Sequence, residues 1–431
     1  MIPCGCAGKT PLGRVVEPAR RRVKTPLARR GVHLAGALDC GLLPRTEQLD
    51  RETGVVTPGD APTRTTCDGE AWGLAAVFAG PETGTSAATF ADVIERGYGS
   101  LAAGSHLRVV KGHSVQVSTP ETTVAAELLR PRGDRRPGYA LGNVDAIHEF
   151  PGLDYPTMAR IAALHALNDC YAYGGHAERA VRPLVVAPTE DVPETETVRA
   201  WFREGLPGVD LLAPTVVGHA GEEWLFGATA TGEITHTPPV HTGRLEPDDR
   251  VLLHRPLGAV AALAAARSGH ADERVRERAV AALGHDHVAV AEVIADECPP
   301  AGDPFDPDRH LKLATDVSGP GVGGVADLVA RSGHRLHVDA LPLLDGEAVR
   351  SARNRWLLPD ATLGTNGPVA LIGRPSVIER VAGRLRREGA TPKPLGRVVA
   401  GPGRLSTEPG IDLERLIEDR QLGRPAAGGG G

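Results

Sequence analysis

The stretch RIAALHALNDCYAYGG, from Arg160 to Gly175, decides the fold because it joins a helical apolar pattern to a carboxylate and then to a glycine pair. Ile161, Leu164 and Asn168 recur at helical spacing, which predicts a helix that carries Asp169 near its C-terminal end and stops at the glycines. A carboxylate there opposes the helix dipole, so we expect it to be solvated or held by a cation such as a divalent metal. A capping aspartate in a loop remains the alternative at this point.

Two further aspartates stand in comparable settings. The run LATDVSGPGVGG, residues 313–324, predicts a strand that ends at Asp316 and a glycine-rich loop, 319–324, whose backbone N–H groups can approach an anion. In YALGNVDAIHEF, residues 139–150, Asp145 closes another extended run. Magnesium prefers a few carboxylates plus phosphate oxygens, so three such aspartates match the needs of a magnesium–nucleotide site.

Composition excludes several classes of protein. The 431 residues suffice for two or three domains, and 41% hydrophobic residues can supply their cores. A net charge of -6 gives no reason to expect nucleic-acid or membrane binding. No apolar run approaches the roughly 20 residues that span a bilayer, and the N-terminus lacks a signal-peptide core. Six scattered cysteines do not form a secreted disulfide framework, so we expect a cytoplasmic protein.

The chain divides into four parts by pattern. Residues 1–105 are rich in Arg, Pro, Gly and Thr, which predicts a mobile N-terminal segment with a Cys-Gly-Cys loop and an insertion of unknown role. Residues 106–240 predict an α+β domain, and residues 241–400 predict an α/β domain with alternating helices and strands. Residues 401–431 form a tail whose glycine-rich end is expected to be disordered.

Several segments carry a family resemblance through their order along the chain. They are CGCAGK at 4–9, Asp145, RIAALHALNDCYAYGG at 160–175, VVGHAGEEWLFGATATGEI at 216–234, LEPDDRVLLHRPLG at 245–258, HLKLATDVSGPGVGGVADLVARSG at 310–333 and SARN at 351–354. In this order they resemble selenide, water dikinase (selenophosphate synthetase), a family in the superfamily of aminoimidazole ribonucleotide synthetase. The match is collinear from about Asp145 to about Val399, which is more specific than any single motif.

The resemblance implies a fold and an assembly. The expected class is α+β, with the two-domain aminoimidazole ribonucleotide synthetase-like fold. That fold has an N-terminal α/β domain with a dimer-forming β-barrel, here the ATP- and metal-binding part at 106–240, and a C-terminal α/β sandwich domain. The resemblance therefore implies a homodimer.

It also implies an activity and a set of site residues. The activity is ATP-dependent phosphorylation of selenide to selenophosphate, which releases AMP and phosphate, with ATP and Mg²⁺ as cofactors. By resemblance, Cys4 and Lys9 are catalytic and Asp169, Asp316 and Glu121 hold the metal. The residues implied in nucleotide binding are Lys9, Asp145, Asp169, Gly218 and His219.

Departures from the family pattern keep two alternatives open. Ala7 and Gly8 separate Cys6 from Lys9, the DDAAV segment is replaced by a stretch that begins Glu121-Thr122, and the late PQTSGG segment keeps only a small-residue turn ending in Gly364–Gly367. The chain is alternatively an ATP-using enzyme of the superfamily with another small acceptor, or a non-catalytic nucleotide- or selenium-binding relative. The cysteine pair favours selenium chemistry, and the three aspartates favour catalysis.

Overall fold

The protein is described by a computed structural model that covers most of the chain beyond residue 138. The described residues are 139–411 apart from gaps at 220–223, 240, 302, 320, 331, 354–360 and 404, together with 29, 33–34, 106–110, 114–118 and 413. Among these residues, no helix is both long enough and apolar enough to cross a membrane. The predictions for Cys4, Lys9 and Glu121, for nearly all of the mobile segment and for the end of the tail lie outside the described residues.

The described elements are eight helices and fourteen strands. The helices are α1 Tyr155–Tyr171, α2 Thr195–Gly205, α3 Ala259–Arg267, α4 Glu273–Leu283, α5 Val288–Asp296, α6 Val322–Ala330, α7 Gly346–Arg353 and α8 Pro375–Arg387. The strands are β1 His33–Leu34, β2 His106–Val110, β3 Ser114–Ser118, β4 Tyr139–His148, β5 Ala177–Pro188, β6 Asp210–Leu211, β7 Thr215–His219, β8 Leu225–Ile234, β9 Arg250–Leu253, β10 Leu313–Asp316, β11 Arg335–Val338, β12 Val369–Gly373, β13 Lys393–Val399 and β14 Leu405–Thr407.

Two mixed sheets organise these strands, which confirms the predicted α+β class. The first sheet runs β1-β2-β3-β4-β8-β5-β6, with β7 added beside β5. Its centre is antiparallel, since β8 pairs with β4 on one side and β5 on the other, while β6 and β7 are parallel to β5. The second sheet runs β10-β12-β9-β13-β11-β14 and is antiparallel except at the β11–β14 pair. The proposed division at 240/241, which falls between β8 and β9, stays a prediction.

Helix α1 forms the centre of the largest hydrophobic core. Its start is fixed by Asp154, whose carboxylate accepts a hydrogen bond from the Thr157 N–H at 2.7 Å, and by Pro156 in the first turn. Thirteen of its seventeen residues are buried, and they pack with residues of the first sheet and of α3 and α4. A helix that is buried on all sides must satisfy every polar side chain within the protein. This requirement explains the polar contacts that surround its C-terminal half.

Candidate active site

Two buried pairs of side chains join β4 to α1. The Asn143 amide donates to Asp169 Oδ2 at 2.9 Å and to the Ala166 carbonyl at 3.0 Å. Two residues further along β4, Asp145 Oδ2 lies 3.0 Å from His165 Nε2. Residues two apart on a strand are separated by about 6.7 Å, and residues four apart on a helix rise by about 6 Å, so the two pairs fit side by side. We call these four residues the β4–α1 ladder.

A hydrogen bond from outside the ladder indicates the tautomer of His165. The backbone N–H of Asn366 donates to His165 Nδ1 at 3.0 Å, so that nitrogen is the acceptor. In the neutral ring the proton is therefore on Nε2, where it faces the Asp145 carboxylate. The other oxygen, Asp145 Oδ1, accepts from the Ala146 N–H at 2.9 Å. Both oxygens of Asp145 therefore have a close partner within the protein.

A second chain of contacts links α1 to the second half of the molecule. Asn168 donates from its amide to the Gly367 carbonyl at 2.9 Å, and its Oδ1 lies 2.7 Å from His287 Nδ1. His287 Nε2 in turn accepts from Arg255 Nε at 3.1 Å, which places the His287 proton on Nδ1. Arg255 Nη2 also donates to the Asn366 carbonyl at 2.5 Å. Asn366 also donates to His165, so this second series of contacts meets the β4–α1 ladder at the loop that contains Asn366.

Arg255 is the central cation of this junction, and it is buried. Burial lowers the pKa of Arg255 to about 10, because removal of water disfavours the charged guanidinium. Burial is also the main cause that lowers the pKa values of His254 and His287 well below their usual range, and the nearby Arg255 charge lowers both further. The histidines are therefore neutral at pH 7, and Arg255 carries the positive charge.

The loop that follows Asp316 packs closely against the loop that contains Gly364 and Gly367. The residue after it, Val317, donates its N–H to the Pro368 carbonyl at 2.8 Å, and the Gly364 N–H donates to the Ser318 carbonyl at 3.0 Å. A Cβ atom on Gly367 would lie 1.6 Å from the Val317 carbonyl oxygen, so only glycine fits there. The late small-residue turn is thus a packing element that brings the end of β10 close to α1.

The glycine-rich loop after β10 uses its own donors within the protein. The N–H of Gly321 donates to the Ser318 carbonyl at 2.8 Å, that of Val322 to Thr362 Oγ1 at 3.0 Å, and that of Gly324 to the Gly321 carbonyl at 3.1 Å. These three N–H groups are engaged and do not point at a phosphate site in this arrangement. The predicted role of loop 319–324 as a phosphate cradle therefore gains no support from these contacts.

The aspartates behave differently from one another. The predicted strand end at Asp316 is confirmed, since β10 ends there. The strand-end position of Asp145 is wrong: β4 continues to His148 because β8 pairs with it along its whole length. Asp169 lies in the last turn of α1 as predicted, but it is only 7% exposed and contacts an amide donor from Asn143. The sequence predicted a carboxylate that is either solvated or held by a cation, and it did not predict this hydrogen bond from Asn143.

The predicted nucleotide-binding pair Gly218 and His219 lies on a strand. Both belong to β7, which pairs in parallel with the end of β5. Gly218 is exposed, and a Cβ atom there would approach Val192 Cγ2 at 3.0 Å. The implied role of these two residues in nucleotide binding stays a prediction.

The donor chemistry of this region suits magnesium. Asp169 and Asp316 offer hard carboxylate oxygens, which Mg²⁺ prefers, while His165 and His287 use ring nitrogens for contacts within the protein. Among the described residues, Asp145, Asp169 and Asp316 do not form a group of three converging ligands. This is compatible with magnesium, which is usually bound through one or two carboxylates and substrate phosphates.

Residues that the sequence reasoning missed complete the site. Asn143 links Asp169 of helix α1 to strand β4. His287 contacts Asn168 of the same helix, and Arg255 links His287 to Asn366. Asn143 had a usable signal, because it stands two residues before Asp145 and so shares a strand face with it. The other three have no local signal, since the partners described here lie between 32 and 201 residues away along the chain.

The architecture defines a structural class. E. coli HypE, a hydrogenase maturation protein, has a similar solved structure with a TM-score of 0.50 at 19% identity, and the alignment covers 69% of this chain and 91% of that one. At this identity the likeness shows the fold alone. The fold is aminoimidazole ribonucleotide synthetase-like, as the sequence resemblance implied.

Sequence comparison gives the more particular likeness. The chain is 30% identical over 235 residues to the selenide, water dikinase of Geobacter metallireducens, covering 53% of this chain and 64% of that protein. It is 32% identical over 220 residues to the selenide, water dikinase of Nitratidesulfovibrio vulgaris, covering 48% and 56%. The predicted resemblance is confirmed, although the aligned region spans less than two thirds of either relative. No model of a known protein family matches the chain.

Proposed function

We propose that this chain is an ATP-dependent phosphotransferase whose nucleotide site is built around the β4–α1 ladder. The observation that carries the proposal is the Asn143–Asp169 hydrogen bond, which orients a carboxylate of the resembling RIAALHALNDCYAYGG segment. The likeness to selenide, water dikinases over about half of the chain supports the same reaction class. A fixed carboxylate beside a cation-bearing junction provides a preorganised site for a metal-bound phosphate.

The proposal gives a role to each of the following residues. Asp169 and Asp316 hold Mg²⁺ together with Glu121, and the ion, when bound, neutralises charge on the phosphates during phosphoryl transfer. Asn143 orients the Asp169 carboxylate, and His165 fixes Asp145 against the nucleotide. Arg255 keeps Asn168 and Asn366 in register through its hydrogen bonds. Gly218 and His219 contact ATP from β7.

In the proposal ATP reacts with selenide and water. Selenide accepts one phosphoryl group to give selenophosphate, and water takes up the other, which leaves AMP and phosphate. Support comes from the Cys-Gly-Cys segment with a following lysine and from the names of the similar proteins. Cys4 receives or protects the selenium as a thiolate, and the Lys9 ammonium favours that thiolate and neutralises a phosphate oxygen. We further propose that the chain is cytoplasmic and forms a homodimer. Sedimentation equilibrium of the full chain tests the dimer.

Phosphorus NMR of the purified chain with Mg-ATP, with and without anaerobic selenide, tests the proposal. We expect a selenophosphate signal together with AMP, and its loss in Cys4→Ala. Cys40→Ala is the matched control, because it removes a thiol outside the Cys-Gly-Cys segment. ATP turnover that ignores selenide and Cys4 would establish a different acceptor, and ATP binding without turnover would establish a non-catalytic relative.

A further inference from the structure

A second cluster of metal-binding side chains lies at the far edge of the second sheet. Among the described residues, His337, Asp339 and Glu408 are the group of three whose ligand atoms all lie within 4.8 Å of one another. His337 is on β11, Asp339 follows that strand, and Glu408 follows β14, which is parallel to β11. We call these three residues the edge cluster.

The spacing of the ligand atoms matches a tetrahedral metal site. His337 Nε2 lies 3.1 Å from Glu408 Oε1 and 3.5 Å from Asp339 Oδ1. Zinc binds imidazole nitrogen and carboxylate oxygen at about 2.0–2.2 Å, so two ligands at a tetrahedral angle are separated by about 3.4 Å. One imidazole and two carboxylates suit zinc, whereas Mg²⁺ prefers oxygen ligands alone.

The imidazole is oriented from its other side. His337 Nδ1 lies 2.9 Å from Ser406 Oγ, and the two residues are in register on β11 and β14. A hydrogen bond at one ring nitrogen commonly fixes the tautomer and orientation that a metal requires at the other nitrogen. All three ligands are partly exposed, at 17%, 29% and 46% for His337, Asp339 and Glu408, so an ion and a water ligand have access.

Arg397 is the competing cation. It forms an ion pair with Asp339, while its Nη2 is 4.0 Å from Glu408 Oε1, beyond hydrogen-bond length. The hydrogen bond of Glu408 Oε1 is therefore with His337 rather than with Arg397. A zinc ion would replace the proton between these two groups, and Arg397 would weaken binding by charge repulsion.

We propose that the edge cluster is a zinc site that ties β14, the last described strand, to β11. Strand β10, which carries Asp316, is at the opposite edge of the same sheet, four strand spacings from β11. At about 4.8 Å per spacing, the two places are separated by about 19 Å. The zinc site is thus independent of the proposed phosphotransferase site.

Zinc titration of the EDTA-treated full chain by calorimetry tests the proposal. The Cys4→Ser/Cys6→Ser background removes the thiols of the Cys-Gly-Cys segment, which are zinc ligands by type. We expect one equivalent of zinc to bind, with binding lost in His337→Ala and Glu408→Gln and weakened about tenfold in Ser406→Ala. Arg397→Gln should tighten binding, and Mg²⁺ should not compete. Cobalt(II), used as a visible probe, should show absorption typical of a tetrahedral site.

Two controls keep the test decisive. Glu379→Gln removes an exposed carboxylate of α8 and should bind zinc as the parent does. Thermal unfolding in EDTA checks that each variant is folded, and Glu408, which is 46% exposed, offers a substitution with little effect on packing. Zinc binding that is unchanged in both His337→Ala and Glu408→Gln, or absent from the parent and from Arg397→Gln, overturns the proposal.

Discussion

Two buried cations of this molecule are held in opposite ways. Lys312 is fully buried and has its ammonium 2.9 and 3.0 Å from the two oxygens of Asp249, with Glu246 at 3.3 Å. Arg255 is also buried, but its hydrogen bonds go to neutral acceptors, His287 Nε2 and the Asn366 carbonyl. The charge of Lys312 is thus balanced by carboxylates beside it. Arg255 keeps its positive charge where the segments that carry His287 and Asn366 meet.

The difference separates a structural ion pair from a functional candidate. In a buried ion pair such as Lys312–Asp249 the two charges balance each other, so the pair needs no ligand. A buried guanidinium with neutral partners carries a desolvation cost, which appears as the lowered pKa of Arg255. Natural proteins tolerate such costs mainly at functional sites. The position of Arg255, two contacts from Asn168, agrees with the proposed site.

The largest expected change in stability comes from breaking the closed pair. Lys312→Met leaves the Asp249 carboxylate buried without its cation, and we expect a loss of about 3–5 kcal/mol in the free energy of unfolding, measured by urea titration. Lys312→Met/Asp249→Leu should recover much of that loss, because both charges are then removed. The exposed Lys393→Met is the control. If Lys312→Met were no worse than this control, the ion pair would be unimportant for folding.

The loop that receives Arg255 should be nearly as sensitive. Gly367→Ala places a methyl group 1.6 Å from the Val317 carbonyl oxygen, so the backbone must move, and we expect a loss of about 3 kcal/mol. Gly383→Ala, on α8, meets no atom closer than 3.9 Å and should stabilise the protein by about 0.5–1 kcal/mol. Thermal and urea unfolding measure both. Equal effects of the two substitutions would contradict the packing argument.

Arg255→Met should separate function from stability. Two acceptors lose their donor, which we expect to cost about 1–3 kcal/mol in stability. Because Asn168 and Asn366 then lose their register, Mg-ATP binding should weaken by about tenfold or more, as measured by calorimetry. Arg255→Lys should not restore it, since an ammonium lacks the planar fork that reaches both partners. Unchanged ATP binding in a folded Arg255→Met protein would make the junction structural only.

The smallest effect is a dependence of stability on pH. Burial lowers the pKa of His241 to about 3, with Arg244 and His310 adding to the shift. The unfolded chain therefore binds a proton near pH 6.5 that the folded chain does not, so stability is complete above this pH and falls as pH decreases. For this residue the loss is about 1 kcal/mol between pH 6.5 and 5.5. His241→Asn should flatten the pH dependence of urea unfolding, and an unchanged slope would refute this cause.

Local patterns predicted many elements because each depends on neighbours in sequence. The helix predicted within residues 160–175 is α1 at Tyr155–Tyr171, and the strand predicted to end at Asp316 is β10. No local pattern predicted strand β13. In β13 the sequence KPLGRVV contains a proline and a glycine, which are typical of turns, yet the strand forms with a register shift between Pro394 and Gly396.

The sequence by itself determined the mixed helix and strand class of the fold and the positions of Asp169 and Asp316 on their elements, because periodicity and turn residues act over a few residues. Only the tertiary structure decided what those carboxylates contact. The Asn143–Asp169 pair requires β4 to lie along α1, and the contacts of Asn168 with Gly367 and of Arg255 with Asn366 join segments 199 and 111 residues apart. Such contacts depend on packing of the whole core, which no local pattern contains.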